Sequence, residues 1–187
     1  MNILWDFDGT IFNTYPAYTK IVKEVLEDRV TEDEIYKLLK VSFSHALKYF
    51  NLTDEKEIYI RSRVRELKPD DLYPFPHVED ILKNANKNVI MTHKEREDVI
   101  NILTFHRLEH YFVDMVAGDD GFPRKPDSAS YKHLHDKHRI ELAIGDRELD
   151  IIPAKQLGMK TCLFQNNTVG ADFYLNDYKD FNSVIKL

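Results

Sequence analysis

Short apolar runs alternate along this chain with stretches whose apolar residues recur at helical spacing. Asn2-Ile3-Leu4-Trp5 is the first run, and a strand buried on both faces reads this way. Further strands are predicted at 88–91, 112–117, 142–144 and 160–164, with a short last one at 173–176. Helical patterns separate them at 77–86, 95–106, 128–138 and 151–157, where Gly158 reads as a stop, and again at 178–185. Such alternation predicts an α/β fold, a Rossmann-like parallel sheet with helices on both faces. The stretch after the first strand reads differently. Tyr18, Ile21, Val22, Val25 and Leu26 follow helical spacing over 15–28, Thr31-Glu32-Asp33-Glu34 opens a second helix with a capping-box pattern, 44–50 forms a third, and Thr53 caps a fourth running to about residue 67. Pro69, Pro74 and Pro76 then break the pattern. An all-helical unit, 14–76 with its connections, is therefore expected within a core made of 1–13 and 77–187.

The ends of the predicted strands carry the candidate chemistry. Asp6-Phe7-Asp8-Gly9-Thr10 follows the first run directly. Two carboxylates at the end of a buried strand need compensation, because charges are almost never buried alone. A divalent cation supplies it, and Mg²⁺ takes oxygen ligands from one or two carboxylates. An Asx turn with Asp8-Gly9 as turn pair explains the same residues without any metal. Thr92 closes the 88–91 run, either as a site hydroxyl or as the N-cap of the next helix, and His93 beside it is placed to see a substrate. Lys125-Pro126 is either a site cation or a surface lysine before a helix-starting proline. Gly145-Asp146-Arg147-Glu148-Leu149-Asp150 closes the 142–144 strand, with Asp150 a further acid or a first-turn helix residue.

Taken together these segments resemble the four motifs of the haloacid dehalogenase superfamily, in its phosphoglycolate phosphatase-like and β-phosphoglucomutase-like branch with a helical cap. The resemblance implies Asp6 as nucleophile forming an aspartyl-phosphate, and Asp8 as general acid and base. It implies Thr92 and Lys125 as phosphoryl-binding groups. Mg²⁺ would be held by Asp6, Asp146 and the backbone carbonyl of Asp8, with Gly9, Thr10, His93 and Asp150 in support. Asn13 and Pro74-Phe75-Pro76 depart from residues frequent at the family's cap connections. The expected activity is Mg²⁺-dependent hydrolysis of a small phosphorylated metabolite. A phosphomutase and a non-catalytic phosphate-binding protein are the alternatives. A dehalogenase is disfavoured because that branch lacks the second Asp of the motif, which Asp8 supplies here.

Composition narrows the partners. The chain has 187 residues and a net charge of −6, which offers no basic surface for nucleic acid. No apolar run approaches membrane-spanning length. Asp6 interrupts the first run before it could serve as a leader, and a cytoplasmic protein is expected. Cys162, the one cysteine, lies in an apolar run and is expected to pack as a small core residue. The His106/His110 and His133/His135/His138 sets are read as solvated helix faces. Tyr15, Tyr18 and 43–48 either face the cleft or pack within the cap.

Overall fold

The computed structural model describes residues 1–186, apart from the side chain of residue 28. Its strands are β1 (Asn2–Trp5), β2 (Phe12–Asn13), β3 (Tyr73–Pro74), β4 (Lys87–Met91), β5 (Phe112–Val116), β6 (Leu142–Gly145), β7 (Lys160–Phe164) and β8 (Phe173–Leu175). Six of them form one sheet in the order β5-β4-β1-β6-β7-β8. All neighbours in it run parallel, as Leu4 opposite Val89 on one side and Ala143 on the other illustrates. The chain leaves β1 to build one side of the sheet, then crosses back to β6 to build the other. In open α/β sheets this reversal opens a crevice at the carboxyl ends of the strands.

Alternate residues of the strands face opposite layers. Leu4, Val89, Met91, Val116 and Ala143 pack with Tyr131 and Leu134 of α7 (Ala129–His138) and Ala154 of α8 (Glu148–Gln156). Trp5 points the other way, where its indole N–H donates to Asn88 Oδ1 at 2.9 Å. The Asn88 amide donates in turn to Leu82 O of α5 (Val78–Asn84), also at 2.9 Å. This buried amide is satisfied on both its oxygen and nitrogen, as burial of a polar group requires. Phe164 and Tyr178 stack beside Trp5 with ring centroids 4.1 Å apart. Cys162 is buried in β7, and burial pushes its thiol up to about 12.

The described chain forms two compact units, 1–12 with 74–186, and Asn13–Tyr73. The second contains α1 (Tyr15–Leu26), α2 (Glu32–Val41), α3 (Phe43–Tyr49) and α4 (Asp54–Arg65). The capping box opens α2 as expected, with Thr31 and Glu34 exchanging side-chain-to-backbone bonds. Tyr15, Tyr18, Ile21, Val22, Ile35, Leu39, Leu47 and Ile60 form this unit's own core. Tyr15 and Tyr18 therefore pack inside it, meeting edge to face at 6.4 Å.

Three local expectations need correction. The helix predicted at 15–28 ends at Leu26, where Glu27 takes a φ of 56°. The expected C-terminal helix is one 3₁₀ turn (Tyr178–Asp180) followed by the four-residue α9 (Phe181–Val184), because Asp177 caps the turn tightly through Lys179 N–H. The two-residue strands β2 and β3, which pair as a ribbon where the chain passes between the units, had no readable pattern at that length. Among the described residues, no helix is long and apolar enough to cross a membrane.

Candidate active site

Three adjacent strands of the sheet, β4, β1 and β6, end side by side, and each delivers a polar residue just past its last rung. Asp6 N–H still bonds Ile144 O at 2.9 Å, and Thr92 N–H bonds Val116 O at 3.0 Å. Asp146 follows Gly145 at the end of β6. Asp6 and Thr92 are thus fixed by the ladder itself and not by loop packing, and Asp146 follows directly on the last rung of β6. All three are buried.

Lys125 arrives by another route. It lies beyond the end of β5, in the long loop before α7, yet its ammonium sits 2.6 Å from Asp6 Oδ1 and 2.7 Å from Asp150 Oδ1. Its side chain is 1% exposed, Asp6 3% and Asp150 1%. Neither a surface position nor a helix start describes it, since α7 begins only at Ala129. Asp150 is both things the sequence allowed. In the first turn of α8, its Oδ2 accepts Arg147 N–H at 3.0 Å while its Oδ1 holds Lys125.

Asp6, Asp146 and Asp150 offer carboxylate oxygens within 4.8 Å of one another. Burial, then the repulsion of Asp150 and to a lesser degree Asp146, pushes the Asp6 carboxyl up to about 7, against the pull of Lys125 and Arg147. Burial opposes ionisation of Asp150 too, but Lys125 and Arg147 outweigh it and hold its carboxyl below the ordinary range. Burial opposes the charge on Lys125 as well, yet the two carboxylates keep its pKa above that of an ordinary lysine. Gly145 gives this acid its room. A Cβ there would lie 2.2 Å from Asp150 Cβ and 2.7 Å from its Oδ2, so no side chain fits.

Around this centre the turn 6–12 is closed by its own bonds. Gly9, at φ 81°, donates its N–H to Phe12 O, and Ile11 and Phe12 donate to Phe7 O. The Thr10 hydroxyl donates to Asp6 Oδ2 at 3.4 Å, and Thr10 O accepts the Tyr178 hydroxyl at 2.8 Å. Asp8 is half-buried, with the Lys94 ammonium 3.7 Å from its Oδ1. The Thr92 hydroxyl accepts Lys94 N–H at 3.2 Å. It does not cap α6 (Arg96–Phe105), whose N-cap is Glu95. His93 accepts Lys125 N–H on Nε2 at 3.1 Å.

Sequence reading passed over Arg147 and Lys94. Arg147 Nε lies 3.5 Å from Asp146 and 3.7 Å from Asp150. Their only sequence signal was adjacency to motif residues. The histidine reading holds for His110 and His133, which are exposed, while His106 and His135 are half-buried and His138 is not a solvated residue. It is buried, with Nε2 2.7 Å from Asp114 Oδ2.

Known proteins share this arrangement of strands and helices. The family model for haloacid dehalogenase-like hydrolases matches residues 3–164. A phosphoglycolate phosphatase of Vibrio vulnificus (strain CMCP6) is 28% identical over 182 residues, covering 83% of this chain and 79% of that protein. The crystal structure of a hydrolase from Streptococcus pneumoniae TIGR4 is 27% identical, with a TM-score of 0.67, covering 88% of this chain and 92% of that one. A haloacid dehalogenase-like family hydrolase of Streptococcus pneumoniae shares the fold with a TM-score of 0.79 at 14% identity, over 97% of this chain and 96% of that one. With a match spanning most of its length, from within the first strand to the end of β7, the chain belongs to the haloacid dehalogenase-like hydrolase family.

Proposed function

We propose that the protein is a Mg²⁺-dependent phosphomonoesterase acting on a small phosphorylated metabolite through an aspartyl-phosphate on Asp6. The observation that carries this reading is the Lys125 ammonium, buried between Asp6 and Asp150 at the carboxyl ends of the central strands. A buried lysine bridging two acids beside a third is a costly arrangement for stability alone. It suits a centre that must hold a carboxylate and a phosphoryl group together.

The buried oxygen donors fit a hard divalent cation. Burial, and after it their mutual repulsion, raise the Asp6 carboxyl, and such a cation offsets both. Asp6, Asp146 and the Asp8 carbonyl would hold it, with Asp150 alongside. When bound, Mg²⁺ supplies charge neutralisation between the attacking carboxylate and the phosphate.

The chain's own residues perform the transfer. An Asp6 carboxylate oxygen attacks phosphorus as the bond from phosphorus to the alcohol oxygen breaks, and Asp8 gives that oxygen a proton. Asp8 then takes a proton from water, whose oxygen attacks phosphorus. The Asp6–phosphorus linkage breaks, restoring the carboxylate and releasing inorganic phosphate. Lys125 and the Thr92 hydroxyl stabilise the transferring oxygens. Gly9 and Thr10 shape the turn that carries Asp8, and Lys94 adds positive charge beside it.

2-Phosphoglycolate is the first substrate to test, since the Vibrio relative is named for it. Phosphate release should require Mg²⁺ and stop on chelation, and Asp6→Asn should abolish it while leaving the fold intact. An active Asp6→Asn protein, or a phosphorylated aspartate trapped at another position, would defeat the assignment.

A further inference from the structure

We infer that His93 is a positioning residue, which through Nε2 holds the backbone of Lys125 and so sets where the Lys125 ammonium sits. The inference rests on the phosphomonoesterase reading above and extends it to a residue whose ring the chemistry does not use.

The geometry is a relay across three strand ends. Lys125 comes from a long loop, so unlike Asp6 and Thr92 it has no ladder to locate it. One backbone anchor at the residue itself is the bond from Lys125 N–H to His93 Nε2, at 3.1 Å. His93 is well fixed in turn. Its carbonyl abuts Gly118, where an added Cβ would lie only 2.3 Å from His93 O, and Gly118 N–H bonds Lys94 O at 2.8 Å. The start of the loop that ends in Lys125 therefore packs on the His93 backbone, while the end of the loop hangs from the His93 ring.

An Nε2 that accepts cannot carry a proton, so the ring is neutral with its hydrogen on Nδ1. Its surroundings enforce this. The half-buried ring faces the charges of Lys125, Arg124 and Arg147, with Asp150 opposing them, and burial followed by these cations pulls the imidazole down to about 3. His93 is thus an acceptor across the physiological range. A side chain that keeps an acceptor at the Nε2 position should replace it, whereas one that offers an acceptor only at the Nδ1 position should not. Gln places its Oε1 near the former and Asn its Oδ1 near the latter.

The test has two arms. Long-range ¹⁵N NMR of the intact protein should show His93 protonated on Nδ1 and unchanged between about pH 5 and 8. A titrating ring or the Nε2–H form overturns the inference whatever the enzyme does. In the second arm, steady-state kinetics use 2-phosphoglycolate and Mg²⁺. His93→Asn should lower kcat by about 100-fold with little change in KM, the cost of misplacing a catalytic group by roughly an ångström, and His93→Gln should restore most of it. Equal losses in Gln and Asn variants, or a loss confined to KM, overturn it. If the wild-type protein hydrolyses no phosphomonoester, the functional reading fails, while NMR and crystal structures of the Gln and Asn variants still decide whether Lys125 is held from His93.

Discussion

Replacing Lys125 by Met tests the centre of the site most directly. Met keeps the length of the side chain and removes its charge. The ammonium contacts two carboxylates at 2.6 and 2.7 Å, and all three side chains are 3% exposed or less. Removing one partner of such a buried group costs about 3–5 kcal/mol, unless the abandoned carboxylates take up protons. Asp6 is already raised to about 7 with Lys125 present and rises further without it, and Asp150, held below the ordinary range against burial chiefly by Lys125, rises as well. The unfolded carboxylates titrate near pH ~3.9. The folded variant therefore holds more protons than the unfolded chain between that value and the raised one, and its stability falls as pH rises, by about 1.4 kcal/mol per pH unit for each extra proton. The variant should lie closest to wild type near pH ~5 and furthest below it near pH ~8. Urea unfolding in the presence of a chelator, followed by the fluorescence of the single tryptophan, Trp5, measures this. Turnover should fall by about 10²–10³-fold. A variant whose stability tracks wild type across that range, with turnover within roughly tenfold, would refute the argument that Lys125 compensates these acids.

Other expectations follow from the same geometry. Gly145→Ala would force Asp150 back by about an ångström and should lower stability by about 1–3 kcal/mol and turnover by about 100-fold, read by thermal unfolding and phosphate release; an unchanged enzyme would show that α8 shifts freely. Burial alone would raise the Asp114 carboxyl, but His138, Lys137 and Met115 N–H hold it at about 2. Its contribution is present above pH ~4 and is lost as pH falls through the folded value, so Asp114→Asn should remove about 1–2 kcal/mol of stability at neutral pH but little near pH ~2, as acid titration of unfolding will reveal. Cys162, with its thiol at about 12, should resist thiol reagents in the native protein and react on unfolding; fast native labelling would contradict its burial.

Much of this protein is written locally. The apolar runs at 2–5 and 142–144 sit on the observed strands β1 and β6 because a strand covered on both faces needs no polar alternation. The capping box at Thr31 is a local bond and folds as it reads. Asp6, Thr92 and Asp146 were legible as strand-end residues because the ladder places whatever follows a strand. Lys125 was different. Only the path of a long loop decides that its ammonium lies within 2.7 Å of two acids, one at the end of β1 and one in the first turn of α8. Tertiary packing likewise decided the bond from Lys125 N–H to His93, the clearance at Gly145 and the burial of His138. Each depends on the separation of atoms from segments far apart in the chain, and pattern along a sequence carries periodicity and local bonding but no such distance.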